Sequence, residues 1–273
     1  GGPVIDVEGL ENLITPKTKA IVAVHYGGSS CDMDALTNLV QKHNIFLIED
    51  AAQAIDAKYK NKWLGSFGHL AAFSFHETKN ISSGEGGLLV VNDEKLINRS
   101  EIIWEKGTNR AAFNRCETQS YEWVDIGSSF LPSDLTAAFL YAQLEQLQEI
   151  QVKRIKLWNA FYDLLQPLVK SGFLKVPAIP VYSTHNAHIF YVLCADSNIR
   201  AELIQFLNNS EIQAVSHYLP LHLSPYYLNK HKVVHLPYAE YFSQCLLRLP
   251  LYNDLDISQI EYIVQRLKEF YNF

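Results

Sequence analysis

The first third of the chain contains short apolar runs separated by helical or polar segments, and this order constrains the fold most strongly. The runs Ala20–Val24 and Ile45–Ile48 flank a segment whose apolar residues recur at helical spacing. Asp32 or Asp34 can cap that helix at its N-terminus, and Leu70–Phe75 is a third run. A strand–helix–strand order predicts a βαβ unit, and therefore a parallel sheet in an α/β fold.

A fourth apolar run, Leu88–Val91, follows a glycine-rich turn at 84–87. The link from Phe75 to Leu88 is short, whereas a parallel crossover usually needs about a dozen residues or more, often helical. We therefore expect Leu88–Val91 to run antiparallel to its predecessor. The sheet is predicted to be mixed but mostly parallel.

The second half of the chain predicts a smaller α+β domain. Residues 107–132 look irregular, and Ser133 begins a helical pattern that continues to about Lys170. Pro177 and Pro180 then break the chain. Later segments are interpreted as an apolar strand at 189–193, a helix at 200–208, a strand at 214–217 and a terminal helix at 257–270. We expect a large domain over residues 1–150 and a linker helix with a small domain over residues 151–273.

Charge and cysteine spacing argue against several classes of function. The 273 residues carry 23 Lys and Arg against 29 Asp and Glu, and the net charge of −6 opposes a nucleic-acid role. The four cysteines are far apart with no CxxC pair, so neither a zinc site nor a redox motif is indicated. Scattered thiols and the lack of a membrane-length apolar run lead us to expect a cytoplasmic protein without a metal.

One lysine and one carboxylate follow two neighbouring strands of the predicted sheet. Asp50 closes the run that begins at Ile45, and Lys79 follows the run that ends at Phe75. Open α/β sheets bind ligands at the carboxyl ends of their strands. A lysine there can join the aldehyde of pyridoxal 5′-phosphate (PLP), and a carboxylate can keep the ring nitrogen protonated. Spacing alone equally allows a solvated loop lysine and an aspartate that only caps a turn.

Several motifs extend this interpretation over nearly the whole chain. In order, they are VHYGG, IEDAAQ, AAFSFHETKN, GEGG, EKGTNR, GSSFLPSDLTAA and HYLPLH. The set resembles the DegT-type PLP-dependent sugar-nucleotide aminotransferases, which have the aspartate aminotransferase-like fold. The resemblance implies amine transfer from glutamate to a dTDP-4-keto-6-deoxyhexose, giving dTDP-4-amino-4,6-dideoxygalactose and 2-oxoglutarate. Surface polysaccharide synthesis is the process implied.

The resemblance also assigns roles to residues at matching positions. Lys79 would be the catalytic lysine that bonds PLP, and Asp50 would pair with the ring nitrogen. Gln53 would lie against the ring and its 3-hydroxyl, and Ser74 would hydrogen-bond the phosphate. His217 and His222, both in HYLPLH, are candidates for lining the sugar pocket, and the sequence leaves that role open.

Two departures from the family pattern affect these expectations. Family members usually begin with roughly a hundred further residues, which carry a phosphate-binding turn and an aromatic ring that stacks on the cofactor. The family also commonly has an asparagine that reaches the partner subunit's phosphate in a homodimer with shared active sites. Here Ser129 follows Gly127-Ser128 and could donate instead.

Two other functions are compatible with parts of the sequence. A non-catalytic remnant, or one half of a split aminotransferase, is the alternative that the missing N-terminal residues suggest. A PLP-dependent sugar dehydratase is disfavoured, because those relatives have histidine where this chain has Lys79.

Overall fold

The computed structural model describes residues 2–273. In the first half, the strands are β1 (Ala20–Val24), β2 (Phe46–Asp50), β3 (Lys58–Tyr59), β4 (Lys62–Trp63), β5 (Leu70–Ser74) and β6 (Gly87–Val91). The helices there are α1 (Met33–His43), α2 (Glu94–Trp104), α3 (Arg110–Asn114) and α4 (Asp134–Glu145). The second half holds α5 (Leu147–Lys170), β7 (Phe190–Leu193), α6 (Ser197–Asn208), β8 (Val215–Ser216), α7 (Pro225–Leu228), α8 (Pro237–Cys245), β9 (Leu246–Leu249) and α9 (Ile257–Phe270).

The main sheet has the order β1-β2-β5-β6. Strands β1, β2 and β5 are parallel, whereas β6 is antiparallel to β5. This confirms the mixed, mostly parallel α/β sheet, including the reversal predicted from the short link before Leu88. Asp50 lies opposite Val24 on one side and Ala72 on the other, so the ends of three strands meet at one edge.

Helix α1 connects β1 to β2 and begins at Asp32, the first of the two candidate caps. The Asp32 carboxylate accepts a hydrogen bond of 3.1 Å from the Ala35 N–H. Asp34 is instead exposed and forms an ion pair with Lys60. The helix buries Leu36 in a cluster with β1 and β2, which fixes the helix against one face of the sheet.

The helical pattern that begins at Ser133 is broken, contrary to the prediction of one continuous helix. Gln146, with φ −95° and ψ 1°, separates α4 from α5. Apolar periodicity does not detect such a break, because one non-helical residue barely changes the phase of the pattern. The two helices also differ in burial, since α4 has no buried residue whereas α5 has seven.

The second half of the chain has its own apolar core around α5, α6 and α9. Leu157, Phe161 and Leu165 of α5 are buried there with residues of β7 and β9. The sheet has the order β7-β9-β8, and its middle strand, β9, was not predicted because Arg248 interrupts a short apolar run. The domain boundary at residue 150 stays a prediction.

Within residues 2–273, no helix combines the length and the apolar character needed to cross a membrane.

Candidate active site

Lys79 lies in the link between β5 and β6, at the carboxyl edge of the main sheet. The link continues the β5–β6 pairing for a few residues, with the Phe75 N–H donating to the Gly86 carbonyl over 2.8 Å. The Lys79 N–H then donates to the His76 carbonyl over 3.0 Å, which turns the chain. The side chain of Lys79 is half-buried. The link therefore holds one primary amine just beyond the strand ends.

The pKa of Lys79 lies below its ordinary value of 10.5. Burial lowers this pKa most, because it penalises the charged form. Asp50 acts in the opposite direction, whereas the positive charge of Arg248 lowers the pKa further. The lowered pKa increases the fraction of Lys79 present as the neutral, nucleophilic amine.

Asp50 ends β2 and its charge acts on Lys79, so the structure brings these two predicted residues to one edge of the sheet. One carboxylate oxygen accepts a hydrogen bond of 3.1 Å from the Ala52 N–H. The backbone carbonyl of Asp50 accepts from the His25 N–H over 3.1 Å. Both contacts fix the position of the residue.

Gln53 and Ser74 flank this edge and keep donors available. The Gln53 side-chain oxygen accepts a hydrogen bond of 2.7 Å from the Gly27 N–H. The NH₂ group of Gln53 can therefore still donate hydrogen bonds to a ligand. The Ser74 hydroxyl oxygen accepts from the His76 N–H over 3.3 Å, so its own hydrogen can still be donated. A phosphate and a phenolic oxygen require donors of this kind. Together with Lys79 and Asp50, the donor set fits PLP.

Ser129 lies beside the end of α2, and within residues 2–273 no hydrogen bond joins it to Lys79, Asp50, Gln53 or Ser74. Its backbone forms an antiparallel bridge with Glu105, just beyond α2, and its neighbour Phe130 is exposed. Its contact with the phosphate of a second subunit stays a prediction.

A buried polar network fixes the position of Asn80, the residue after Lys79, and no sequence pattern predicts this network. The Asn80 side-chain NH₂ donates to Gln151 Oε1 over 2.8 Å and to the Asn186 carbonyl over 2.7 Å. His188 Nδ1 lies 2.8 Å from Asn80 Oδ1, which accepts the hydrogen bond. These partners lie far from Asn80 in the sequence, so no local pattern predicts the contacts. The network joins the Lys79 link to the second half of the chain.

Arg154 of α5 is buried and takes part in the same region. Its guanidinium donates to the backbone carbonyls of Ala187, His188 and Leu251 over 3.1, 2.8 and 3.3 Å. Burial, followed by the charge of Arg248, lowers the pKa of Arg154 to about 10. The hydrogen bonds assign Arg154 a positioning role.

His217, one of the two predicted candidates for the sugar pocket, contacts Tyr26 after β1. The Tyr26 hydroxyl lies 2.5 Å from His217 Nδ1. Burial lowers the pKa of His217 to about 4, and the charges of Arg248 and Lys79 act in the same direction. His217 is therefore a neutral, buried histidine close to the two cations.

Glu49 and His25 form a buried pair beside the site. The Cys31 N–H donates to His25 Nδ1 over 3.3 Å, which leaves Nε2–H to donate to Glu49 over 3.1 Å. Glu49 also accepts 2.7 Å hydrogen bonds from the backbone N–H groups of Gly65, Phe67 and Gly68. Burial alone would raise the pKa of Glu49, but these hydrogen bonds outweigh it and leave the pKa below 4.5.

Glutamine in place of Glu49 is expected to destabilise the fold and to reduce its sensitivity to acid. Because the folded pKa lies below 4.5, the wild-type carboxylate stabilises the chain above that pH. This stabilisation is lost as the pH falls through the folded pKa. Removing one partner of a buried pair costs about 3–5 kcal/mol. Urea unfolding between about pH 7 and pH 3 measures both effects, and exposed Glu202→Gln is the control. Equal pH slopes in wild type and Glu49→Gln would contradict the assignment.

A cleft of about 940 Å³ opens beside Lys79. Its wall includes Lys79, Arg154 and Arg248, together with residues of β8 and α9. Within residues 2–273, no group of three or more His, Cys, Asp or Glu side chains is arranged to hold a metal ion. The cleft can admit an organic substrate to the amine of Lys79.

Comparison with known proteins identifies the family. The DegT/DnrJ/EryC1/StrS aminotransferase family matches residues 3–268. The spore coat polysaccharide biosynthesis protein SpsC of Bacillus subtilis is 34% identical over 275 aligned positions, which cover 97% of this chain and 70% of SpsC. The uncharacterized protein MJ1066 of Methanocaldococcus jannaschii is 30% identical, with the same shares of the two chains.

Solved structures have the same fold. DesV of S. venezuelae aligns with a TM-score of 0.86 and 30% identity, over 98% of this chain and 69% of DesV. PseC of Helicobacter pylori, an aminotransferase of pseudoaminic acid biosynthesis, aligns with a TM-score of 0.87 and 25% identity, over 99% and 71%. The chain therefore belongs to the DegT/DnrJ/EryC1/StrS aminotransferase family and is a PLP-dependent aminotransferase.

Proposed function

We propose that the chain transfers an amino group from glutamate to the 4-keto carbon of a dTDP-4-keto-6-deoxyhexose. The products are dTDP-4-amino-4,6-dideoxygalactose and 2-oxoglutarate. The observation that carries this proposal is the half-buried Lys79 amine, held at one sheet edge with Asp50 and opening onto the cleft. The ordered motifs VHYGG, FSFHETKN, EKGTNR, DIGSS and HYLPLH support the sugar-nucleotide substrate.

The names of relatives support a sugar substrate. SpsC takes part in spore coat polysaccharide biosynthesis and PseC in pseudoaminic acid biosynthesis. The product of the proposed reaction would serve the same class of process, which is the assembly of a surface polysaccharide. Four unpaired cysteines fit a reducing compartment, so we place the reaction in the cytoplasm.

Four residues would hold the cofactor in this proposal. Lys79 would bond its aldehyde carbon, and Asp50 would keep its ring nitrogen protonated. The NH₂ group of Gln53 would donate to the 3-hydroxyl, and the hydroxyl of Ser74 would donate to the phosphate. When bound, PLP supplies a ring that withdraws electrons from the α-carbon of the amino acid.

Lys79 would also move the proton that the reaction requires. Its lowered pKa provides a neutral amine, which can accept the proton from the α-carbon of glutamate. The same amine, once protonated, can deliver a proton when the sugar is aminated. Asp50 counteracts the loss of positive charge at Lys79 and thus keeps the amine basic enough to hold the proton.

We further propose that the chain acts as a homodimer with shared active sites. Large apolar side chains of α4 are exposed, with Leu135 at 85% and Phe139 at 57% of full exposure. Phe130, beside Ser129, is 61% exposed. Exposed apolar groups of this kind mark protein interfaces, and a second subunit covering them would bring Ser129 to the partner's phosphate.

The direct test incubates the purified chain with PLP, glutamate and dTDP-4-keto-6-deoxyglucose. We expect 2-oxoglutarate and an equal amount of the dTDP-amino sugar, detected by mass spectrometry. Glutamate alone should change the visible absorption of the bound cofactor, because the two halves of the reaction are independent. A visible band that survives saturating glutamate would contradict the proposal. The same assay with the corresponding UDP-4-keto sugar tests which nucleotide the chain accepts, and we expect amination of the dTDP sugar to be faster.

A further inference from the structure

A short segment of the second half, residues 186–188, contacts the loops at the carboxyl edge of the main sheet, and we call it the 186–188 clamp. It lies just before β7. In the loop after β2, the side-chain NH₂ of Asn186 donates to the backbone carbonyls of Gln53 and Ile55 over 2.8 and 2.7 Å. The loop that begins beside Asp50 is therefore held by a buried amide from a distant part of the chain.

The clamp also contacts the loops after β1 and β5. A Cβ atom at Gly28, after β1, would lie 1.8 Å from Asn186 Oδ1, so no larger residue fits there. In the link after β5, the NH₂ of Asn80 donates to the backbone carbonyl of Asn186 over 2.7 Å. Asn80 Oδ1 lies 2.8 Å from His188 Nδ1, and Asn80 directly follows Lys79. Three loops of the main sheet thus meet at one segment.

The backbone of the clamp is held in one conformation. Ala187 has a φ of 50°, in the left-handed region that residues other than glycine seldom adopt. Arg154 of α5 donates to the carbonyls of Ala187 and His188 over 3.1 and 2.8 Å. The His188 N–H donates to Asn186 Oδ1 over 3.1 Å. A conformation of this kind persists where the surrounding contacts over-determine it, and such residues cluster at functional sites.

The side-chain NH₂ groups of Asn80 and Asn186 are fully used within the protein. Asn186 is 0% exposed and Asn80 is 6% exposed. Asn80 donates its second hydrogen to Gln151 Oε1 over 2.8 Å. A buried polar network in which the donors have partners specifies one arrangement of the segments that it joins. Because neither NH₂ group is left for a ligand, any effect on catalysis must act through the loops that the two asparagines hold.

The position of the Lys79 amine is not fixed by strand pairing alone. Strand β5 ends at Ser74, and Lys79 lies in the link beyond it. Lys79 and Asp50 must nevertheless meet the same cofactor, and a misplacement of about 1 Å can slow a reaction by about 10²-fold. We propose that Asn80 and Asn186 are positioning residues, which hold two loops against the clamp and thereby place the Lys79 amine at the cofactor.

Alanine substitutions test the proposal in the chain loaded with PLP. Asn186→Ala removes two hydrogen bonds to the loop after β2, and Asn80→Ala releases the link that carries Lys79. In both variants we expect the glutamate half-reaction to slow by about 10²-fold while the KM for glutamate stays near the wild-type value. The visible circular dichroism of bound PLP reports how the ring is held, and it should weaken in both variants.

Asn92 provides a matched control. Its NH₂ group donates to the backbone carbonyls of Gly65 and Gly68 over 3.0 and 2.8 Å, next to the amino end of β5. Asn92→Ala should lower the urea midpoint, as Asn186→Ala does, but leave the rate and the visible circular dichroism unchanged. A wild-type rate and spectrum in Asn186→Ala would overturn the proposal. An equal loss of both in Asn92→Ala would also overturn it, because the effect would then be one of general stability.

A milder variant decides the question if neither alanine variant folds. Gln151→Ala removes one acceptor of Asn80 and leaves the direct contacts between Asn80 and the clamp. We expect a smaller loss of rate and of visible circular dichroism, and no change in either would overturn the proposal.

This inference rests on the proposed function only for the use of glutamate as the donor. If the wild type does not react with glutamate, the proposed donor is wrong. The visible circular dichroism of PLP in Asn186→Ala and Asn92→Ala then still decides whether the clamp positions Lys79, because that measurement needs no substrate. If the wild type does react and the two variants have identical spectra and rates, the clamp assignment is wrong and the reaction stands.

Discussion

Alanine in place of Lys79 is expected to abolish covalent attachment of PLP and to lower the transamination rate by about 10⁴-fold, the upper range for a catalytic acid or base. The side chain supplies the only lysine amine that lines the cleft in residues 2–273. It is half-buried, and its lowered pKa increases the fraction in the neutral form. Borohydride reduction with PLP present, followed by mass analysis of the peptide that contains residue 79, measures attachment. Release of 2-oxoglutarate measures the rate.

Two variants make the Lys79 experiment specific. Lys79→Arg keeps a positive charge near Asp50 but lacks a primary amine, so we expect the same loss of attachment. Lys17→Ala removes an exposed lysine from the loop before β1 and should retain both attachment and rate. Attachment of PLP to a different lysine in the wild type, or full activity of Lys79→Ala, would contradict the assignment.

Asparagine in place of Asp50 is expected to slow transamination by about 10²- to 10³-fold, the range for removing one preorganised electrostatic contact. The reason is that asparagine cannot keep the ring nitrogen of PLP protonated. The substitution should also shift the pH dependence of the rate. Because Asp50 raises the pKa of Lys79, the substitution should lower that pKa further. The pH at which the rate reaches half its maximum on the acidic side should therefore move down.

The pH profile separates a direct role of Asp50 from a structural one. Asp34→Asn removes an exposed carboxylate that pairs with Lys60, and it should change neither the rate nor the profile. Glutamate half-reaction rates between about pH 6 and pH 10 give the profile of each variant. A slow Asp50→Asn enzyme whose profile is unshifted would show that Asp50 does not act on Lys79.

The main sheet could be predicted from the sequence because its signals are local. Ala20–Val24 was predicted with the bounds that the structure has, and the reversal before Leu88 followed from the length of one link. The terminal helix, Ile257–Phe270, also has the predicted bounds, since its apolar residues keep a helical period and Asp256 caps it. The break at Gln146 could not be predicted from apolar periodicity, because one non-helical residue leaves the helical period almost unchanged.

The residues of the candidate site also include some that local sequence signals predict and some that they do not. Lys79 and Asp50 were identifiable because each follows an apolar run, and parallel strands bring their ends to one edge. Gln151 and His188 were not, since their contacts with Asn80 join residues 71 and 108 positions apart in the chain. Arg248 was missed because one charged residue within a short apolar run does not indicate a strand.

Sequence alone determined that a carboxylate, Asp50, and an amine, Lys79, follow two neighbouring apolar runs, because apolar periodicity records how each segment is buried. The roles expected of Gln53 and Ser74 came from the family resemblance. Only the tertiary structure decided that Lys79, Arg154 and Arg248 line one cleft. That arrangement depends on packing between segments that are distant in sequence, and such packing leaves no periodic trace in the order of residues.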